Sequence, residues 1–274
     1  MTLVGILYNP HKPAIEKYLG ILSEKLAHKG IRISFVVSTE DPDFSSCCTE
    51  KEPVHYLLVL GGDGSVLRSM TIALERHIPV IGVNFGKFGF LTRFEMEAII
   101  NPSFSFEDIH ILPRLTLEIV AKNGNEEWTE YALNDVVVHR PLECNIEHYQ
   151  ITVNGEQLPL IAGDGIIVST PTGSTAYSLS AGGAIIYPQA SVIQLTLLAP
   201  HTMANSPIVT DDRTVLTLRK NPAGTFTYFV DGCAGNKADT MVIKRSRYDF
   251  LLASPVGESL SAIISEKLLW GKRG

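Results

Sequence analysis

Val54-His55-Tyr56-Leu57-Leu58-Val59-Leu60-Gly61-Gly62-Asp63-Gly64 is an apolar run closed by three glycines and one carboxylate. The run has the length and β-branched, aromatic character of a buried strand, and residues 65–77 after it read as a helix. Glycines at a strand-to-helix turn let a polyphosphate approach the backbone, because no Cβ stands in the way. Gly61, Gly62 and Gly64 are therefore candidate phosphate-binding positions. A carboxylate in such a turn repels phosphate unless it holds a metal or takes a proton, so Asp63 is the first residue that needs a chemical role.

The same grammar extends on both sides of this turn. Residues 3–8 form a short β-rich run. Residues 13–29 are helical, with Ile15, Leu19, Leu22 and Leu26 on one face and Gly30 as a stop. Residues 31–37 and 78–83 are further strands, and 42–53 is a polar, turn-rich loop. Strands alternating with helices imply βαβ units and a parallel sheet, whose ligands bind at the carboxyl ends of the strands. Pro102 argues against a helix running through residues 92–113. After about residue 109 the pattern changes. Leu115, Leu117 and Ile119 alternate with polar residues, 130–140 reads as one strand, and Asn123-Gly124 and Asn154-Gly155 are hairpin signals. Further short strands are predicted at 195–198, 214–219, 225–230 and 241–244. The expected architecture is an α/β domain with a parallel sheet over residues 1–108 and an all-β antiparallel domain over 109–255. The tail, 256–274, is helical at 260–270 and is expected to pack back on the first domain.

The chain has 274 residues, 45% apolar and 19% charged, which fits well-buried globular domains without long solvated tracts. Its net charge of −6 provides no electrostatic footprint for nucleic acid or an acidic membrane. An anionic ligand must then be met by backbone amides, a metal or a few local cations. Cys47, Cys48, Cys144 and Cys233 match no zinc or thioredoxin spacing and read as reduced thiols. The N-terminus lacks the features of a signal peptide, and no apolar run approaches the ~20 residues that span a bilayer. The expected location is the cytoplasm, with no membrane partner.

Four other segments carry chemistry. Asn84-Phe85-Gly86-Lys87-Phe88-Gly89-Phe90-Leu91-Thr92 follows the strand at 78–83. Asn134-Asp135 interrupts an apolar strand, so one of the two must face a site or a partner. Gly163-Asp164-Gly165 leads into Thr170-Pro171-Thr172-Gly173-Ser174-Thr175-Ala176-Tyr177, rich in hydroxyls and free amides suited to ribose, amide and phosphate groups. The last segment is His201 with Asn205 and Ser206, followed by Asp231-Gly232, which alone reads as a hairpin turn.

In this order, these segments resemble the NAD kinase family. The resemblance continues through Gly182-Gly183, Pro188, Pro200-His201-Thr202, Pro207-Ile208-Val209 and Lys267-Leu268-Leu269-Trp270-Gly271 and spans almost the whole chain. It implies phosphoryl transfer from ATP or polyphosphate, with a divalent cation such as Mg²⁺, to the 2′-hydroxyl of the adenosine ribose of NAD. The metal ligands are not implied by any residue pattern. Asp63 is the implied catalytic acceptor. Asp63, Gly64, Phe85, Asn134, Asp135, Asp164, Thr172, Thr175, Ala176, Tyr177 and His201 are the implied NAD-binding residues. A homo-oligomer, dimer or tetramer, is implied too, with a neighbouring subunit building part of the site. The family pattern has Asn-Glu where this chain has Asn134-Asp135, one methylene shorter. Two other readings use the same turn. A lipid kinase would leave Asn134-Asp135 and the hydroxyl-rich 170–177 without a purpose. A non-catalytic NAD-binding sensor would not need the carboxylate of Asp63.

Overall fold

In the computed structural model, residues 2–42, 54–86, 89–140, 146–201, 206–233, 235–257 and 260–267 are described. Cys47, Cys48, Cys144, Lys87, Phe88, Thr202, Asn205, nearly all of the loop 42–53 and the ending 268–271 lie outside them. Two compact units emerge, Met1–Pro113 with Phe250–Gly274, and Arg114–Asp249.

The first unit is built on β1 (Leu3–Tyr8), α1 (Ile15–His28), β2 (Arg32–Ser38), β3 (Tyr56–Gly61), α2 (Asp63–Arg68), α3 (Met70–Ala73), β4 (Val80–Asn84), β5 (Phe94–Glu95), α4 (Met96–Ile100) and β6 (Ile109–Arg114). The late strand Phe250–Pro255, β20 in chain order, and the last helix, α6 (Leu260–Lys267), complete it. Its sheet runs β2-β1-β3-β4-β20-β6, with β5 also beside β4. Strands β2, β1, β3, β4 and β20 pair in parallel. The chain goes one way from β1 to β2 and the other way from β1 to β3, so a switch point lies at the carboxyl ends of β1 and β3. Gly61-Gly62 leaves the sheet there. Helix α1 buries Ile15, Leu22 and Leu26, and Gly30, at φ +69°, ends it in the left-handed conformation.

Three expectations change. The boundaries fall at 113/114 and 249/250 rather than 108/109 and 255/256, because β6 and β20 are strands of the first sheet. The helix after the glycine turn begins at Asp63, not residue 65, and breaks at Ser69, whose hydroxyl bonds back to the Val66 carbonyl at 2.6 Å. Within 92–113 a five-residue helix forms and stops at Asn101, immediately before Pro102.

The second unit comprises β7 (Leu117–Asn123), β8 (Glu126–Ala132), β9 (Asp135–His139), β10 (Glu147–Val153), β11 (Glu156–Gln157), β12 (Ile161–Gly163), β13 (Gly165–Ser169), α5 (Tyr177–Ser180), β14 (Val192–Leu198), β15 (Ile208–Asp211), β16 (Leu216–Lys220), β17 (Phe226–Val230), β18 (Asn236–Ala238) and β19 (Thr240–Arg245). Two antiparallel sheets, β11-β10-β16-β19-β7-β8 with β12, and β15-β14-β13-β9-β17-β18, enclose one core. Leu117, Ile119 and Tyr149 from one sheet pack with Val136, Val138 and Tyr228 from the other. Asn123-Gly124 and Asn154-Gly155 both make tight hairpins, with φ +60° at Gly124 and +87° at Gly155. The single strand expected over 130–140 is instead two strands in different sheets. The chain changes sheet at Leu133-Asn134, where the amides leave their ladders and find an acceptor elsewhere.

Candidate active site

In the first unit, the functional geometry starts from Asp63, the first residue of α2. Its Oδ1 accepts from Leu91 N and Thr92 N, both at 3.0 Å, and from Thr92 Oγ1 at 3.1 Å, while its Oδ2 accepts from Phe90 N at 2.7 Å. A carboxylate offers about four lone-pair sites, two on each oxygen. Oδ1 is saturated, so the one acceptor site that remains is on Oδ2. Gly89 makes this possible: a Cβ there would lie 1.8 Å from Asp63 Oδ1. Gly61 is required too, since its Cβ would meet Ser65 Oγ at 2.3 Å.

Gly62 and Gly64 open onto a cleft of about 320 Å³ with Asn9, His11, Lys12, Thr39, Glu40, Ser65 and Arg68. Gly62 is extended, with φ −128° and ψ −173°, and caps α2. Across this cleft His11 Nε2 meets Glu40 Oε1 at 2.5 Å, and Arg68 Nη1 donates to the Thr39 carbonyl at 2.9 Å. Phe85 is not among the residues lining the cleft. Its amide donates to the Gly61 carbonyl at 2.8 Å, and its ring stacks edge-on against Tyr18 of α1 at 5.4 Å. Asn84 is buried, and its Nδ2 donates to the Gly86 carbonyl and Glu95 Oε1, both at 3.1 Å.

In the second unit, β9 supplies a two-faced strand. Val136 and Val138 enter the core, whereas Asp135, Val137 and His139 point to the other face. That face forms a trough of about 360 Å³ lined also by Asn134, Ala176, Tyr177, Phe229, Asp231 and Gly232. Asp135 to His139 spans about 13 Å of extended strand. Asp231, read from sequence as part of a turn, is the hub of one end. Its Oδ2 accepts from Leu133 N at 2.8 Å, and its Oδ1 from Asn134 N at 2.8 Å and Asp135 N at 3.0 Å. Gly173 lets the 170–177 loop close on the same point, since a Cβ there would lie 2.0 Å from the Asn134 carbonyl oxygen. Neither role has a local signal, because the partners lie far apart in sequence.

The Asp135 carboxyl is buried beside Asp231. Burial, then repulsion from Asp231, pushes its pKa up to about 7. Burial also pushes Asp231 up to about 6, against the opposing pull of its three amide donors. The pair therefore carries protons at pH values where isolated carboxylates are ionised. Asp164 belongs to a separate cluster near the His139 end of the trough. Arg140 Nε hydrogen-bonds it at 2.6 Å and holds its carboxyl below the usual range, with His139 and His201 adding positive potential. The His201 amide donates to the Ala162 carbonyl at 2.8 Å. Thr172 is buried, with no partner for its hydroxyl among the described residues, and Thr175 Oγ1 donates to the Thr172 carbonyl at 3.3 Å. The structure thus groups Asn134, Asp135, Ala176 and Tyr177 in one trough. It groups Asp164 with His201 in another cluster, and adds His139, Phe229 and Asp231.

The first unit thus carries a polar cleft beside a glycine turn, and the second a trough ending in acidic and amide groups. Comparison with known proteins supplies the class. The ATP-NAD kinase N-terminal domain matches residues 24–102, and the ATP-NAD kinase C-terminal domain matches residues 133–254. The NAD kinase of Aquifex aeolicus is 36% identical over 223 residues, 78% of this chain and 81% of its own. NAD kinase 2 of Synechocystis sp. is 32% identical over 296 residues, 99% of this chain and 96% of its own. Among solved structures, yeast NADH kinase complexed with NADH matches with a TM-score of 0.83 and 20% identity, covering 100% of this chain and 89% of its own. An NAD kinase from Archaeoglobus fulgidus in complex with ATP matches at 0.70 and 20%, covering 92% and 93%. The structural likenesses establish the fold. The chain belongs to the NAD kinase family. It is a phosphotransferase that moves a phosphoryl group from ATP to the 2′-hydroxyl of the adenosine ribose of NAD, giving NADP. Of the three readings of the sequence, the kinase acting on NAD is the one these comparisons support. No helix among the described residues is long and apolar enough to cross a membrane.

Proposed function

We propose that Asp63 accepts the hydrogen bond of the ribose 2′-hydroxyl on Oδ2, and that the trough along β9 binds NAD. The observation that carries the first role is the hydrogen bonding of Asp63, whose donors from residues 90–92 leave one acceptor site on Oδ2. A ribose hydroxyl is a poor nucleophile until its proton has an acceptor, and a loose phosphoryl-transfer transition state rewards positioning above all. Asn134 and Asp135 supply polar groups to ribose at one end of the trough, and Phe229 and Tyr177 supply apolar surface. Thr172 and Thr175 shape the loop that carries Ala176 and Tyr177. Asp164 and His201, near the other end, meet the more distant part of the dinucleotide. The donor's phosphates lie in the cleft against Gly62 and Gly64, and polyphosphate is a second donor on this reading.

Among the described residues no cluster of three His, Cys, Asp or Glu side chains could hold a metal ion. Mg²⁺ usually keeps waters and phosphate oxygens as ligands, so it would enter as part of the donor, a metal–nucleotide substrate. The exposed free thiol of Cys233 fits a reducing, cytoplasmic setting. Exposed Tyr177, Tyr187, Ile208 and Val209 on the second unit support a homo-oligomer. Incubation with NAD or NADH, and ATP or polyphosphate with Mg²⁺, followed by chromatographic product analysis, tests the reading. NADP from NAD and ATP is expected, and an absence of any 2′-phosphorylated product would overturn it.

A further inference from the structure

We propose that Lys12 is the cation that grips the phosphate chain of the donor, a role that rests on the kinase reading above. Among the described residues, the cleft beside the glycine turn has three basic side chains, and they are differently committed. His11 is tied to Glu40 at 2.5 Å, and Arg68 spends a guanidinium nitrogen on the Thr39 carbonyl at 2.9 Å. The ammonium of half-buried Lys12 makes no hydrogen bond or ion pair with any described residue. Its ammonium lies beside two glycines. Lys12 Nζ lies 4.0 Å from the point a Cβ on Gly62 would occupy and 3.6 Å from the equivalent point on Gly86. Both points are vacant because both residues are glycine. A phosphate oxygen about 2.8 Å from the ammonium can use the space that these missing Cβ atoms leave open.

The segment that presents Lys12 is fixed before any ligand arrives. Asn9 N donates to the Leu60 carbonyl at 2.9 Å, which ties the segment to the end of β3. Asn9 Oδ1 accepts from His11 N at 2.9 Å, Lys12 N donates to the Asn9 carbonyl at 3.2 Å, and Ile15 N donates to the Lys12 carbonyl at 3.3 Å. Pro10 and Pro13 flank this stretch, and Ala14 holds a left-handed backbone at φ 57°. A strained non-glycine residue beside an ordered turn is a feature that functional sites retain. Electrostatics points the same way. A chain of net charge −6 that binds a polyanion must counter its charge locally, and Lys12 has three donors to give. Among the described residues, the side chains lining the cleft include no aliphatic or benzenoid group to stack a purine, which favours a donor held there through its phosphates.

Steady-state kinetics of the full chain with MgATP varied at saturating NAD, and NAD varied at saturating MgATP, test the assignment. Lys12→Met is expected to lower kcat/KM for ATP by about 10²–10³-fold, as loss of one preorganised charge donor does. KM for NAD is expected to stay within about 3-fold and the unfolding midpoint unchanged, because the Lys12 side chain has no hydrogen-bond or ion-pair partner among the described residues to lose. Lys12→Arg should recover about ten-fold or more of the loss, since it restores the charge. A Lys12→Met enzyme within 3-fold of wild type for ATP, or one whose defect lies in KM for NAD, overturns the proposal. A wild-type protein that forms no NADP overturns the kinase reading itself, so the two failures are distinguishable.

Discussion

Replacing Asp63 by asparagine separates its two duties, anchoring the 90–92 segment and receiving the ribose hydroxyl. Asparagine keeps the shape and one acceptor oxygen. That oxygen can face Leu91 N, Thr92 N and Thr92 Oγ1, the three donors now on Oδ1. The amide NH₂ then faces Phe90 N, which today donates at 2.7 Å. One donor loses its acceptor and meets another donor, at a cost of about 1–3 kcal/mol. For a chain of this size that is a fall in Tm of about 2–4 °C per kcal/mol. The site on Oδ2 left for the hydroxyl disappears with the second oxygen, so turnover is expected to drop ~10²–10⁴-fold, the usual contribution of a positioned proton acceptor. NAD affinity should change little, because the trough of the second unit is untouched. Asp63→Ala removes the acceptor from all four donors and should lower Tm further than Asp63→Asn. The assay is NADP formation coupled to an NADP-specific dehydrogenase, with Tm by differential scanning calorimetry and NAD affinity by titration calorimetry. Wild-type turnover in Asp63→Asn would refute the reasoning. A loss of turnover no greater than the loss of folded protein would reduce Asp63 to an anchor for 90–92.

Three further outcomes test the second unit. Gly173→Ala places a Cβ 2.0 Å from the Asn134 carbonyl oxygen, a backbone atom with little freedom to yield; a stability loss of at least ~1–3 kcal/mol in urea unfolding and a raised KM for NAD are expected. The pKa values of about 7 for Asp135 and about 6 for Asp231 lie above the unfolded-state carboxylate value of ~3.9, so folding retains protons between those limits. Their contribution is greatest below about pH 4 and is lost as pH rises through about 7, at up to ~1.4 kcal/mol per pH unit for each proton; Asp135→Asn should therefore come nearest to wild type at about pH 4 and exceed it increasingly in unfolding midpoint up to about pH 8. Asp135→Glu, which restores the family's residue, should leave kcat/KM for NAD similar or higher, and a large loss would show that the trough has adjusted to the shorter side chain.

The elements that sequence disclosed are those with a local signature. Residues 3–8 alternate with nothing and are wholly apolar, and they form β1 as the predicted run; the two Asn-Gly hairpins likewise follow from two adjacent residues. The β6 and β20 strands were misassigned because sheet membership is a tertiary property. Ile109 to Arg114 and Phe250 to Pro255 look like any short strand, and only pairing assigns them to the first sheet. In the site, Asp63, Asn134 and Asp135 stood out because a carboxylate in a glycine turn or a polar pair in an apolar run violates a local rule. Phe85 stood out by family resemblance, yet its ring lies against Tyr18. Asp231 violates nothing locally, since Asp-Gly in a β domain is an ordinary turn, and so its hold on residues 133–135 stayed hidden.

Asp63 and Asp231 solve one physical problem in the same way. Each stands immediately after a strand, β3 or β17, separated from it by no more than one residue, and each is followed by glycine. Each carboxylate accepts three consecutive backbone amides from a distant segment, 90–92 in one case and 133–135 in the other. Consecutive amides that point one way cannot satisfy a regular ladder, and such concave runs bind anions. The carboxylate satisfies them with fixed charge from within the chain, which leaves the neighbouring backbone free to bend toward a ligand. In the second unit the bend turns Asn134 and Asp135 into the trough; in the first it leaves no room for a Cβ on Gly89, which would lie 1.8 Å from Asp63 Oδ1. A carboxylate beside a glycine-rich phosphate turn thus has a reason to be there before any metal or proton is considered: it is neutralised by oriented amide dipoles rather than by a counter-ion. Chemistry at Asp63 then rests on the one acceptor site those dipoles leave unfilled.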